Sequence, residues 1–139
     1  MTEVMSTTLN DLARSLEVGF NRALGFTLQE ASATRVSATL ELSDEHQQPF
    51  GLVHGGLYCA VVETLASVGG ALAWTGPGRT VVGVNNNTDF IRGVAGGKLF
   101  AEALPIHSGR TQQLWEVVIT DSGGKLIAKG FVRLANLQS

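Results

Sequence analysis

A single acidic residue, Glu63, lies in the middle of a long apolar segment that runs from Gly55 to Trp74. A carboxylate in such surroundings costs free energy unless it is paired or used. No lysine or arginine occurs between Gln48 and Arg79, so no cation is available three or four residues away along a helix. We therefore interpret Glu63 as a catalytic group that acts as a nucleophile or as a general base.

The same segment begins with two glycines, Gly55 and Gly56, directly after His54. Backbone N–H groups in the first turn of a helix have no intrahelical partner and bind anions, and glycine lets a ligand approach them closely. We interpret the Gly55 N–H as an oxyanion hole, which together with a carboxylate supplies the parts of an acyl-transfer site. Two simpler interpretations stay open: the glycines form only a flexible turn, and His54 is a neutral structural histidine.

The spacing of these groups favours a site that is shared between two chains. Gly55 and Glu63 are eight residues apart, so on one helix they lie about 12 Å apart along the axis and about 80° apart around it. Both groups must nevertheless come within about 3–3.5 Å of one carbonyl. Two antiparallel copies of the helix around a two-fold axis meet this requirement, so we expect a homodimer with two equivalent shared sites.

Composition limits the partners and the compartment. The 139 residues carry a net charge of −2, and one domain is expected over residues 1–139. Basic residues are scattered and aromatic residues make up 6% of the chain, so no nucleic-acid surface is expected. The first twenty residues are too polar for a signal peptide, and the apolar stretch from Leu65 to Trp74 is too short to span a membrane. With one cysteine, the chain is expected to be cytoplasmic.

No metal or other cofactor is expected. His46, His54 and His107 lack metal-ligand spacing, and no dinucleotide fingerprint occurs. Cys59 follows His54 by five residues, which is the wrong spacing for a Cys–His pair on one helix face, so we interpret it as a core residue. The run Asn85-Asn86-Asn87 is unusual in a strand, and at least one of its side chains must find sheltered partners.

Hydrophobic periodicity predicts the order of helices and strands. A helical pattern covers residues 8–20, a period of two follows over residues 26–30 and 36–42, and an apolar helix covers residues 55–74. Four more strands are predicted, with turns short enough for antiparallel hairpins between them, at Thr80–Arg92, Lys98–His107, Gln112–Thr120 and Lys125–Leu134.

The long apolar helix is expected to be buried on all sides, because nearly every face of it is apolar or small. Gly69 and Gly70 each cost roughly 1 kcal/mol inside a helix, and close approach of a sheet or a second helix would compensate for that cost. One antiparallel sheet that wraps around the helix satisfies the whole pattern, which gives an α+β domain.

The sequence QPFGLVHGGLYCAVVETLAS, in this order of elements, resembles the hotdog-fold acyl-CoA thioesterases. The similarity is to the branch that contains the 4-hydroxybenzoyl-CoA and phenylacetyl-CoA enzymes, and it runs from about Leu24 to Leu134. The stretches VVGVNNNTDFIR and HSGRTQQLWEV match its later strands. The resemblance implies a hotdog fold, hydrolysis of an acyl-CoA thioester, and a homodimer that is usually doubled into a tetramer.

The resemblance also implies roles for individual residues. Glu63 would attack the thioester or activate water, and the Gly55 N–H would bind the carbonyl oxygen. The other implied roles are those of Gln48 and His54, which orient the acyl end, of Ser67, which helps to place water, and of Arg92 and the turn Gly109-Arg110-Thr111, which meet the CoA phosphates.

Two other functions stay open at this point. A hydratase or dehydratase of acyl thioesters needs a histidine and an acid that both reach the acyl chain, whereas His54 before two glycines favours polarisation of a carbonyl. A non-catalytic acyl-CoA-binding domain would have no need of an unpaired Glu63. The residues expected to line an acyl pocket, which suit an aromatic ring or a medium-length chain, are Leu52, Val53, Leu57 and Val61.

Overall fold

A computed structural model of the chain describes residues 10–14 and 16–139. Its elements are helix α1 (Gly19–Leu24), strands β1 (Phe26–Ala31) and β2 (Val36–Glu41), a 3-10 turn (Asp44–His46), helix α2 (Gly55–Ala73), and strands β3 (Arg79–Phe90), β4 (Lys98–Ser108), β5 (Gln112–Asp121) and β6 (Leu126–Gln138). The predicted α+β class is confirmed, and the long helix lies where the sequence predicts it.

The N-terminal helix differs from the prediction. Residues 1–9 and Ser15 lie outside the described residues, and so does the predicted start of this helix at residue 8. Residues 10–14 are helical, and the chain then turns before α1 begins. The prediction of one helix up to residue 20 is wrong, because Val18 has an extended backbone and Gly19 has a φ of +59°, a conformation that glycine adopts readily.

The six strands form one antiparallel sheet in the order β1-β2-β4-β5-β6-β3. The predicted hairpins are confirmed for β4, β5 and β6. The predicted hairpin between β3 and β4 is wrong: β3 pairs with β6, and β4 pairs with β2. The physical reason is the length of the connection, because residues 91–97 cross from one strand to the other and are held by Ile127 and Val53 instead of by a tight turn.

The core lies between α2 and one face of the sheet. Buried side chains alternate with more accessible ones along residues 98–104 of β4 and along β5, as expected for strands with one face on a core. The expected close approach is confirmed and is made by the sheet: a Cβ at Gly69 would lie 2.3 Å from the Trp115 ring, and a Cβ at Gly70 would lie 2.2 Å from Leu134. Two glycines in the helix thus make room for two core side chains.

One face of α2 is covered only in part, by the edge strand β3 and by Asn21 of the N-terminal segment. Cys59, Glu63 and Ser67 are only partly buried on that face, so burial on all sides does not hold for a single chain. By length and hydropathy the 19 residues of α2 would suffice to cross a membrane, but its largest side chains belong to the core. The open face of α2 carries the residue of greatest chemical interest, Glu63.

Candidate active site

The N-terminus of α2 is capped by His54. Its Nδ1 accepts a hydrogen bond from the Gly56 N–H at 2.8 Å, so the ring proton of the neutral imidazole lies on Nε2. This bond satisfies one of the free N–H groups of the first turn. The Gly55 N–H, by contrast, has no hydrogen-bond partner within the described residues, and it stays available to a ligand.

Gly55 lines a pocket of about 150 Å³ together with Gln48 and Arg92. The Gln48 side-chain oxygen accepts a hydrogen bond from the Phe50 N–H, which leaves its NH₂ group to donate elsewhere. Gln48 and Gly55 therefore present two neutral donors on the same pocket. The other residues of its wall are mostly apolar or aromatic: Leu52, Val53, Tyr58, Phe90, Ile91 and Gly93.

The aromatic side of this pocket includes a polar group without a partner. Tyr58 is 3% exposed, and its buried hydroxyl has no hydrogen-bond partner within the described residues. Burial removes the hydroxyl from water and raises its pKa, so the phenol stays neutral. Its ring lies 5.7 Å from the Phe90 ring, and the Phe90 ring packs directly over Gly55.

Glu63 is held by neutral donors. Asn86 Nδ2 lies 3.2 Å from Glu63 Oε1, and Ser67 Oγ lies 3.4 Å from Oε2. Asn86 is itself fixed, because Nδ2 also donates to the Cys59 carbonyl at 3.0 Å and Oδ1 accepts from the Thr88 hydroxyl at 2.7 Å. The carboxylate lies against the backbone of β3 at Gly83, where a Cβ would be 2.3 Å from Oε2.

Asn86 is the functional candidate that sequence reasoning did not single out. The asparagine run indicated that one of three side chains must be sheltered, and the structure shows that it is the middle one. Alternation along β3 could not identify it, because the register shifts between Gly83 and Asn85.

Within one chain the predicted site residues lie in four separate places. Glu63 and Ser67 line a groove of about 270 Å³ with Asn21, Thr64 and apolar residues, whereas Gly55 lies in the other pocket. Arg92 lies beside Gly55, and the turn of Gly109, Arg110 and Thr111 lies near the opposite end of α2. His54 faces a third pocket with His46 and Leu57.

The lining residues expected for an acyl pocket are also divided. Leu52 and Val53 are in the Gly55 pocket, whereas Leu57 lies beside His54 and Val61 faces the core near Phe26. Cys59 is a partly buried free cysteine. In the described part of the chain no three His, Cys, Asp or Glu side chains are grouped so that they could hold a metal ion.

The sequence and the fold are both similar to those of one known protein family. The family model described as "Thioesterase superfamily" matches residues 50–128, which include α2 and most of the sheet. The chain belongs to this thioesterase superfamily. Its six-stranded sheet around one long helix is the hotdog fold of the family, so the expected fold and family are both confirmed.

Three relatives place the chain within the thioesterase superfamily. The protein Rv1847 of Mycobacterium tuberculosis is 44% identical over 128 residues, which cover 90% of this chain and 91% of the relative, and its solved structure gives a TM-score of 0.85. The proofreading thioesterase EntH of Klebsiella pneumoniae is 38% identical over 118 residues, 85% of each chain. The structure of thioesterase HI1161 of Haemophilus influenzae is 32% identical, covers 94% of this chain and 90% of its own, and has a TM-score of 0.86. Thioester hydrolysis is therefore the activity of this family member.

Tyr58→Phe is expected to stabilise this thioesterase fold. The change removes a buried hydroxyl without a partner, so the free energy of unfolding at neutral pH should rise by about 1 kcal/mol, measured by urea denaturation. Because the pKa of the phenol is raised in the folded protein, the wild type should lose stability as the pH rises above the ordinary value of 10.0 and through the folded pKa, and the variant should lack this loss.

Tyr58 is the one tyrosine of the chain, so the absorbance of its phenolate reports this titration without interference from another tyrosine. A variant that is less stable than the wild type at neutral pH would show that the hydroxyl has a partner in solution.

Proposed function

We propose that this protein hydrolyses acyl-CoA thioesters to a free acid and CoA. The observation that carries the proposal is the pair of half-sites on α2. One presents two neutral donors, the Gly55 N–H and the Gln48 amide, and the other presents Glu63 with two donors on its carboxylate. Donors for a carbonyl oxygen and a base or nucleophile for its carbon are the parts that acyl transfer requires.

In this mechanism the thioester carbonyl oxygen accepts hydrogen bonds from Gly55 and Gln48 at the positive end of the α2 dipole. Glu63 then takes a proton from a water whose oxygen bonds to the carbonyl carbon. The tetrahedral intermediate collapses as the C–S bond breaks, and the CoA sulfur receives the proton. In the alternative route Glu63 attacks the carbon itself, and water hydrolyses the resulting anhydride. The Ser67 hydroxyl next to Glu63 supports a role in placing that water.

The CoA end is assigned to basic residues at both ends of α2. Arg92 lies in the same pocket as Gly55, where it would meet phosphate groups that follow the pantetheine arm. Arg110 is exposed in the turn of Gly109 and Thr111, where a second phosphate would bind. His54 shapes the mouth of the site through its hydrogen bond to Gly56.

The two half-sites support an active site shared between two chains. Gly55 and Glu63 lie in separate pockets of one chain, and a glutamate side chain does not span the roughly 12 Å between them along the helix. The open face of α2 carries Glu63, so a second copy of α2 packed antiparallel on that face would bring its Gly55 to this carboxylate. The outer edge of β3 pairs with no strand of the described residues and carries exposed Val82 and Val84, which fits burial in the same interface.

The outer face of the sheet supports a dimer of dimers. Glu116 of β5 is paired with Leu104 of β4 on one side and with Phe131 of β6 on the other. Phe100 and Ile106 of β4 are exposed as well. Exposed apolar side chains on β4 and β6, on either side of Glu116 of β5, are typical of a surface that another subunit covers.

The geometry favours hydrolysis over the hydratase or dehydratase reaction. Such a reaction needs a histidine free to move a proton along the acyl chain, but Nδ1 of His54 is occupied by the Gly56 N–H. A non-catalytic binding domain would not need the three polar contacts that Asn86 makes around Glu63.

Glu63→Gln tests the proposed function. We expect the wild type to release free thiol from members of a panel of aromatic and medium-chain acyl-CoA substrates. The variant keeps the shape of the side chain and removes its charge, so its kcat should fall by about 10²-fold or more while it still binds acyl-CoA. Retention of more than a tenth of the wild-type kcat would contradict the catalytic role, and release of thiol from no substrate would contradict the acyl-CoA assignment.

Asn86→Ala should lower kcat and leave KM nearly unchanged, because Asn86 contacts Glu63 and is not expected to touch the substrate. A hydrogen bond to a charged group is worth about 1.5–3 kcal/mol, which corresponds to a loss of roughly 10- to 100-fold. Asn87→Ala is the matched control, since Asn87 is the next residue of β3 and is exposed. Equal losses in both variants would show that Asn86 only supports the strand.

Mixed dimers test whether each site is built from two chains. Glu63→Gln and Gln48→Ala are each expected to be inactive, and their mixture is dissociated reversibly and allowed to reassociate. Random pairing makes half of the dimers mixed, and each mixed dimer regains one intact site, so about a quarter of wild-type activity should return. An inactive mixture in which mixed dimers demonstrably form would show that the site lies within one chain.

A further inference from the structure

A relay of polar side chains, buried at its centre, connects the C-terminal turn of α2 to the turn between β4 and β5. Its centre is Gln113, which is 1% exposed. Gln113 Nε2 donates to the Gly70 carbonyl at 3.1 Å and to Asn136 Oδ1 at 2.8 Å, and Gln113 Oε1 accepts from Trp115 Nε1 at 2.8 Å. Every polar atom of this amide is therefore used inside the protein.

Asn136 carries the relay into the turn. Its Nδ2 donates to the Gly109 carbonyl at 3.0 Å and to the Arg110 carbonyl at 3.2 Å, and its backbone N–H donates to the Thr111 carbonyl at 2.9 Å. Three consecutive carbonyls of the turn thus point at one residue of β6. Because all three carbonyls bond to Asn136, the conformation of the turn is fixed from β6, while the side chains of Arg110 and Thr111 are exposed to solvent.

Gly109 restricts the turn further. A Cβ at this position would lie 2.6 Å from the His107 ring and 2.9 Å from the Gln112 carbonyl, so the backbone of the turn packs closely on its own hairpin. An exposed hairpin turn does not need a buried side-chain relay in order to form. The use of two polar side chains, Gln113 and Asn136, to fix this turn therefore indicates that its shape matters for binding.

The position of the turn indicates where it acts. Gly70, at the inner end of the relay, follows Gly55 by fifteen residues of the same helix, which is about 22 Å along its axis. The turn is thus far from the Gly55 pocket of its own chain. In an antiparallel pair of α2 helices, the C-terminal end of one helix lies beside the N-terminal end of the other, and the turn faces the partner's site.

We propose that Gln113 and Asn136 are positioning residues that hold the turn of Gly109, Arg110 and Thr111 in the shape that binds the phosphate end of CoA. This inference rests on the proposed acyl-CoA function. Each α2 would then serve two sites, with its N-terminal end binding one thioester and its C-terminal end ordering the phosphate contact of the other. Asn136 acts through the turn and does not touch the substrate.

The test measures the binding of CoA and of pantetheine, which lacks all the phosphates of CoA, by titration calorimetry. Asn136→Ala should weaken the binding of CoA by about tenfold and leave pantetheine unchanged, and in turnover it should raise KM for an acyl-CoA with little change in kcat. Ile119→Val is the matched control, because it removes one buried methyl group from the core and leaves the relay intact. Equal weakening of CoA and pantetheine, or equal effects in both variants, would overturn the proposal.

A double variant separates action through the turn from an independent effect. If Asn136 acts through Arg110, then Asn136→Ala in an Arg110→Ala background should weaken CoA binding by much less than it does alone. Full additivity would overturn the proposal. A wild type that binds CoA through this relay without hydrolysing any acyl-CoA would refute the proposed function alone, whereas a wild type that does not bind CoA would refute both.

Discussion

The height of α2 above the sheet is set by contacts that only glycine permits. The helix backbone lies directly on the Trp115 ring at Gly69 and on Leu134 at Gly70, so it cannot come closer and has no side chain to hold it away. The same condition recurs at Gly83, where the β3 backbone leaves room for the Glu63 carboxylate. The hydrogen bond from β3 to the helix depends on this short separation. The close packing of α2 on the sheet therefore also fixes the position of Glu63 against β3.

Neutral groups contact the Glu63 carboxylate and fix its orientation. Its donors are the amide of Asn86 and the hydroxyl of Ser67, and no cation pairs with it among the described residues. A cation at hydrogen-bond distance would attract the electrons that a base or nucleophile must share. Neutral donors orient the carboxylate with a weaker field. The apolar helix therefore carries a carboxylate that neutral donors hold in place.

The limits of prediction from the sequence have identifiable causes. The long helix and its catalytic candidates follow from local features: an apolar run, a glycine pair and an unpaired carboxylate. The position of β3 in the sheet does not follow from local features. Strand order depends on which edge of the sheet a crossing connection reaches, and the glycines before β4 resemble those of a hairpin. Asn86 could not be separated from its neighbours because a bulge interrupts the alternation. The continuous N-terminal pattern conceals a break at Gly19.

The length of β3, 12 residues, affects how prone a newly made chain is to aggregation. A long edge strand with free N–H and C=O groups pairs with any extended segment it meets, which makes a newly folded monomer prone to aggregation. β3 has no proline to block such pairing. In the proposed dimer a second copy covers this edge, so a fold completed in this way would gain stability as its concentration rises. Dilution, like heat or denaturant, would then lower the stability of the folded protein.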